Sequence, residues 1–153
     1  MPLIDFASAV KPEVLYKSAG YAIATYDPDP SLTYGFDTRG SYAAVIVVNC
    51  GSFSGAATLT LTVQESADST TWTDVLDQDG ARAAFPVITA NPTGDQVADD
   101  ALYFARVNFV HKQRYIGLEA VVAGSGGERA TFGVTALLLS YDTRNNTTPS
   151  VIA

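Results

Sequence analysis

The chain has 153 residues, of which 47% are hydrophobic and 16% are charged, and its net charge is −7. We expect one domain that buries roughly two-thirds of its unfolded surface. The charged fraction is below the usual value of about 25%, so the composition favours an oligomer or an assembled state. The nine basic residues are scattered, and the lack of a basic face to neutralise phosphates disfavours nucleic-acid binding.

Apolar and polar residues alternate with a period of two along most of the chain, and no 3.6-residue stripe indicates a helix. In residues 57–65, Leu59, Leu61 and Val63 point to one face and threonines to the other. Polar turn signals separate the segments that alternate in this way. The predicted strands are 20–26, 42–49, 57–65, 71–76, 101–109, 114–122 and 131–141.

Strands joined by short polar turns predict an all-β, antiparallel sandwich. A jelly-roll-like sandwich with an extended N-terminal arm is the first choice, and an immunoglobulin-like sandwich is the alternative. Residues 1–35 are assigned to the arm and first strand, 36–141 to the body of the sandwich, and 142–153 to a polar C-terminal tail. The three parts form one domain.

Residues 43–48 and 136–139 are apolar at every position, although a strand on the surface of a lone sandwich should have a polar outer face. Either the outer face lies under a loop or arm of the same chain, or it meets another subunit. Val45 and Ile46, which point to opposite faces, are candidate interface residues. Tyr16 is a further candidate, because tyrosine is enriched at interfaces.

The N-terminal arm carries Leu3, Ile4 and Phe6 without a steady period. These side chains dock either on their own domain or on a partner. The segment also contains Asp5 and lacks the apolar core of a signal peptide, and no run of 18 apolar residues could span a membrane. Synthesis in a cytoplasm-like compartment is therefore expected.

No enzymatic chemistry is predicted. His111 is the only histidine, and no spacing pairs it with a nucleophile and a carboxylate. The motif GSFSG has Phe53 where a nucleophile elbow requires serine. Cys50, the sole cysteine, excludes an intramolecular disulfide and a cysteine-based metal site, and is expected to be a small buried hydrophobe.

Neither a metal nor a cofactor is predicted. Several turns carry carboxylates, but a calcium site needs six to eight converging oxygen ligands. We therefore interpret these side chains as solvated turn residues. They are Asp27, Asp29, Asp77, Asp79, Asp99 and Asp100.

Trp72, the only tryptophan, follows a predicted hairpin turn at Asp68 and Ser69. Trp72 and Val75 have opposite parity in a regular strand, so with Val75 inside, Trp72 lies on a surface. Three alternatives follow: Trp72 packs within its own domain through a bulge or under a neighbouring loop, it is covered by a partner, or it serves as an aromatic platform for a sugar.

Three stretches carry a family resemblance: FDTRGSYAAVIVVNCGSFSG (36–55), ATLTLTVQESADSTTWTDVLD (57–77) and YFARVNFVHKQRYIGLEAVVAG (103–124). Together they resemble a group of small proteins of tailed bacteriophages and prophages that accompany the major capsid protein. The chain departs from that group at Ser69, where a glycine is common and a different turn type is therefore required, and at Gly117, where a basic residue is common.

The resemblance implies a non-enzymatic capsid decoration, or cement, protein. Such a protein is expected on the exterior of the virion after synthesis in the host cytoplasm. Its implied partners are the major capsid protein and further copies of itself, as a dimer or trimer, with no nucleic acid or membrane. A carbohydrate- or receptor-binding module of a phage head or tail, with Trp72 as its platform, is the alternative.

Overall fold

The computed structural model describes residues 10–77, 79–89 and 101–140, which form two antiparallel sheets packed as a sandwich. The predicted all-β fold is confirmed. The strands are β1 (Val10–Ala22), β2 (Ala24–Tyr26), β3 (Gly35–Asp37), β4 (Ser41–Phe53), β5 (Thr58–Ser66), β6 (Thr73–Asp74), β7 (Ile88–Thr89), β8 (Leu102–Asn108), β9 (Tyr115–Ala123) and β10 (Arg129–Ser140).

The strand order is that of a jelly roll. The first sheet runs β1-β10-β4-β8 and the second β2-β9-β5-β6, with β3 also beside β9 and β7 beside β5. The first strand therefore lies beside the last one. In an immunoglobulin-like sandwich the first strand lies beside the second, so that alternative is not the fold of this chain.

The sandwich begins within the segment assigned to the arm and first strand. β1 starts at Val10 and pairs with β10, with register shifts between Val14 and Tyr16 and between Tyr16 and Ala19. The predictions for Leu3, Ile4, Phe6 and the tail 142–153 lie outside the described residues.

The core lies between the two sheets and follows the alternation of the sequence. Ala44, Ile46 and Val48 of β4 face Leu59, Leu61 and Val63 of β5 across the sandwich, and all six are buried. The remaining large and fully buried side chains include Phe132, Ile116, Leu118, Leu138, Val122 and Val134.

Tyr16 joins the two sheets. Its ring stacks on Tyr34 with a centroid distance of 4.2 Å, and its hydroxyl donates to the Leu118 carbonyl at 2.7 Å. Since Tyr16 lies in the first sheet and Leu118 in the second, this bond ties the layers together across the core. Cys50 is also buried, as expected, and burial raises the pKa of its thiol to about 11.

Candidate functional site

The candidate site is the outer face of the first sheet, meaning the side chains of β1, β10, β4 and β8 that point away from the core. In β4, Ala44, Ile46 and Val48 fill the core, so Val45 and Val47 point outward because successive side chains alternate. The same alternation turns the even-numbered residues of β8 outward.

The register aligns the outward side chains in rows across all four strands. One row lies about the middle of the sheet, and the two others follow toward the end where β1 begins. The rows are Val14, Thr135, Val47 and Phe104; Pro12, Leu137, Val45 and Arg106; and Val10, Leu139, Ala43 and Asn108.

Nine of the twelve positions in these rows are apolar, and the polar members are Thr135, Arg106 and Asn108. Phe104 is 65% exposed and Val14 is 63% exposed, and Leu102 at the start of β8 is also exposed. Val45, Val47 and Leu137 are half-buried between them. Arg106 is the only charged residue among the twelve positions of the three rows. Contiguous apolar patches of this kind mark sites of association.

The residues that the sequence suggested as an interface do not share one face in the structure. Val45 lies on the outer face, whereas Ile46 and Tyr16 are 0% and 1% exposed and point into the core. The doubly apolar sequence of β4 is explained by a buried inner face and an apolar outer face. Sequence reasoning missed Phe104 and Leu102, because Arg106 and Asn108 stand at the same parity in ALYFARVNF and make that face resemble a solvated one.

Trp72 lies on the opposite side of the molecule, on the outer face of the second sheet. Val75 is buried in the core, so the parity argument is confirmed. The indole packs over Gly117 and Gly35 and donates its Nε1 proton to the Ser69 carbonyl at 3.1 Å. The ring is half-buried by its own chain.

The hairpin that leads to Trp72 is organised by Asp68. Its Oδ1 atom accepts hydrogen bonds from the backbone N–H groups of Thr70 and Thr71, each at 2.8 Å. These bonds lower the pKa of the Asp68 carboxyl. Ser69 has a φ of 63°, the left-handed conformation that glycine adopts at lower cost.

A polar cluster lies next to Trp72 on the second sheet. Gln64 Nε2 donates to Asp74 at 3.2 Å and to Glu119 at 3.4 Å. Arg82 forms an ion pair with Asp74 at 2.7 Å. Burial, followed by the neighbouring carboxyl of Asp27, raises the pKa of Glu119.

Replacing Glu119 with glutamine is expected to raise the melting temperature at pH 7. A raised carboxyl pKa in the folded state means that folding favours the protonated form of Glu119. The stability that this form contributes is therefore lost as the pH rises through that pKa. The neutral amide removes this loss, and its advantage should shrink as the pH falls toward 4, where wild-type Glu119 is also protonated.

Thermal unfolding of both proteins between pH 4 and pH 7 checks this expectation. Asp79→Asn removes the same charge from an exposed turn, where the structure gives a partner only to the backbone N–H of Asp79, and controls for the change in net charge. A Glu119→Gln protein that melts at or below the wild-type temperature at pH 7 would contradict the role assigned to Glu119.

The turn carboxylates bind their own backbone. Asp77 Oδ1 accepts from the N–H groups of Asp79 and Ala81, each at 2.9 Å, and Asp29 Oδ1 accepts from Thr33 at 3.0 Å. Within residues 10–77, 79–89 and 101–140, no three His, Cys, Asp or Glu side chains are grouped so as to hold a metal ion. Asp99 and Asp100 lie outside the described residues.

The comparisons with known proteins assign no family. No protein-family model matches the chain, and no curated protein matches it. In the part of the chain that the structure describes, no helix is long and apolar enough to cross a membrane.

Proposed function

We propose that the protein is a non-enzymatic capsid decoration protein, which binds the outside of a phage head and stabilises contacts between capsomers. The observation that carries the proposal is the apolar outer face of the first sheet. A docked partner would remove Phe104, Val14 and their half-buried neighbours from water, and the hydrophobic effect would favour that contact.

The segments that carry the family resemblance also support this proposal. Residues 36–55 contain β4, which contributes Val45 and Val47 to the outer face. Residues 103–124 contain most of β8, which contributes Phe104 and Arg106. Two of the three resembling stretches thus form the centre and one edge of the proposed docking face.

A dimer or trimer would make the attachment durable. Burying one large apolar side chain contributes about 1.5–3 kcal/mol, whereas association costs an estimated 4–15 kcal/mol of lost rigid-body freedom. A single copy would therefore bind a flat surface weakly. A homo-oligomer placed around a symmetry axis of the shell repeats the contact, and the repeated contact slows dissociation.

The packing of Trp72 favours this function over a carbohydrate-binding module. A sugar platform needs an open aromatic face, whereas the Trp72 indole packs over Gly117 and Gly35 and is half-buried. The major capsid protein is thus the proposed partner, and the exterior of the virion, after synthesis in the host cytoplasm, is the proposed location.

Mixing the purified protein with shells that lack it tests the proposal. We expect the wild-type protein to co-sediment with the shells and to raise the temperature at which they break. Phe104→Glu should weaken binding at least tenfold, because the shell would have to bury a carboxylate.

Val87→Glu is the matched control, since Val87 is 59% exposed and lies outside the face. The proposal would be overturned if the wild-type protein did not co-sediment, or if Phe104→Glu bound as tightly as the control.

A further inference from the structure

The strand β8 forms an edge of the first sheet that is open to solvent. Among the described residues, only β4 pairs with it. Tyr103 and Ala105 of β8 pack against the core and yet are half-buried, whereas Leu15 and Tyr16 of β1, the opposite edge strand, are buried. A groove of about 560 Å³ lies beside β8. The core of the described sandwich therefore reaches the surface along this strand.

The strand β8 also lacks the features that usually protect an edge. Edge strands are protected against further pairing by proline, lysine or a bulge. β1 carries Lys11, Pro12 and Lys17 and has two register shifts. β8 has the sequence LYFARVN, without proline or lysine, and pairs with β4 in a continuous register. Such an edge is a template on which a further strand can pair.

The hydrogen bonds to β4 determine which backbone groups of β8 face the open edge. The Cys50 N–H donates to the Ala101 carbonyl, and the Phe109 N–H donates to the Tyr42 carbonyl, each at 3.0 Å. Hydrogen-bonded and non-hydrogen-bonded pairs alternate along antiparallel strands, so the odd-numbered residues of β8 bond to β4. The N–H and C=O groups of its even-numbered residues point to the open edge. These residues are Leu102, Phe104, Arg106 and Asn108.

A second β8 strand satisfies these groups when it pairs in antiparallel orientation about a two-fold axis at Ala105. In that register Leu102 of each copy lies opposite Asn108 of the other, and Phe104 lies opposite Arg106. Both pairs consist of even-numbered residues, so each N–H and C=O group that points to the open edge gains a partner. Ala105 meets its own counterpart at the axis, where its small side chain lets the strands approach. The edge is therefore self-complementary, as a two-fold interface requires.

The side chains are complementary in the same register. Phe104 is 65% exposed, and within the described part of the chain Arg106 forms no ion pair or hydrogen bond. Cross-strand neighbours on one face contact each other, and a guanidinium is attracted to an aromatic ring.

The charge of the edge also favours a second copy. Arg106 and Lys112 line the groove beside β8, with Asp77 as the single carboxylate. The whole chain has a net charge of −7. An edge with an excess of cations attracts an acidic molecule, and a second copy of this chain is one.

We propose that two copies of the chain pair through β8 into a two-fold symmetric dimer, in which their first sheets become one continuous sheet. The axis is perpendicular to this sheet, so the outer faces of both copies point the same way. The inference deepens the proposed function, because such a dimer presents both faces to one surface. A dimer that binds no shell would refute the attachment alone, and a monomer that binds shells would refute the pairing alone.

A disulfide at the axis tests the register on the purified protein. Ala105→Cys places two cysteines in a non-hydrogen-bonded pair, with about 4.5 Å between their Cα atoms, a distance that a disulfide spans. The native Cys50 is buried, so the wild-type protein gives the background. After mild oxidation, we expect at least tenfold more covalent dimer from Ala105→Cys than from the wild type, measured by non-reducing electrophoresis and mass spectrometry.

Tyr103→Cys and Val107→Cys are the matched controls. In the proposed register, each lies opposite the other variant and four residues, or about 14 Å, from its own counterpart. Neither should crosslink alone, whereas a mixture of the two should. Circular dichroism before oxidation verifies that each variant is folded. The dimer is refuted if Ala105→Cys crosslinks no more than the wild type, or if a control alone crosslinks as readily as the mixture.

Arg106→Pro tests the pairing without a crosslink. The N–H of Arg106 points to the open edge, so proline leaves the bonds to β4 in place and removes a donor from the dimer. Sedimentation equilibrium should show a dimer for the wild type and a dissociation constant at least tenfold higher for the variant, with an unchanged circular dichroism spectrum. A monomeric wild type, or a variant that dimerises as tightly, would contradict the proposal.

Discussion

Gly117→Ala is expected to destabilise the protein by about 1–3 kcal/mol, the usual cost of overpacking. A β-carbon at this position would lie 2.5 Å from Pro28 Cγ and 2.9 Å from Trp72 Cζ3. Atoms cannot approach so closely, so Pro28 and the indole must both move. For a chain of this size the loss corresponds to a decrease in melting temperature of roughly 2–12 °C.

Gly20→Ala provides a matched control in another strand. A β-carbon there would have its nearest neighbour, Thr131 Oγ1, at 3.7 Å, which is ordinary contact. We expect this variant to melt within about 4 °C of the wild type, since alanine at a compatible position changes stability by less than about 1 kcal/mol.

Gly117→Arg should have a larger effect than Gly117→Ala. Arginine introduces the basic residue that is common at this position in the phage proteins that the chain resembles. Its long side chain would displace Trp72 from the second sheet. Because Trp72 is the only tryptophan, its fluorescence should shift to longer wavelength. An unchanged spectrum and melting temperature would contradict the packing described for Trp72.

Ile46→Asp is expected to prevent stable folding, whereas Val45→Asp is expected to preserve the fold. Ile46 is fully buried and lies between Ala136 and Ala105 in the first sheet. A carboxylate there loses the apolar contacts and has no cation to pair with. The expected cost is about 4 kcal/mol or more, a large part of the usual stability of 5–15 kcal/mol.

Val45 differs because its side chain points outward. Its neighbour in β8 is Arg106, so an aspartate at position 45 has a cation opposite and remains partly hydrated. The Val45→Asp protein should unfold cooperatively near the wild-type temperature but lose binding to the shell. Circular dichroism and co-sedimentation measure the two effects. Equal behaviour of both variants would contradict the assignment of the two faces.

The regular part of the sandwich could be predicted from the sequence. Each of the seven predicted strands overlaps a strand of the structure, because alternation and polar turns are local signals. The hairpin at Asp68 was also predicted correctly. Its turn places Ser69 in a left-handed conformation. The chain therefore forms this turn with a serine in a conformation that glycine would adopt at lower cost.

Residues 10–19, which are most of β1, could not be predicted in this way. The two register shifts of β1, between Val14 and Ala19, interrupt the alternation that identifies a strand. β3 and β7 are only three and two residues long, too short to have a period. For these elements the tertiary partner determines the structure.

The candidate site was predictable only in part. Apolar residues at every position of 43–48 indicated two covered faces, but the pattern alone did not say which parity was the core. That choice depends on the register between β4, β8 and β10, which aligns Val45 with Leu137 and Arg106. Phe104 and Val14 became recognisable as members of the face only once these strands were adjacent.

An electron cryo-microscopy reconstruction of shells saturated with the protein tests the central claim most directly. We expect the sheet of β1, β10, β4 and β8 to lie against the shell, with Phe104 and Val47 at the contact. A reconstruction in which this face points to solvent, or in which no density for the protein is found on the shell, would contradict it.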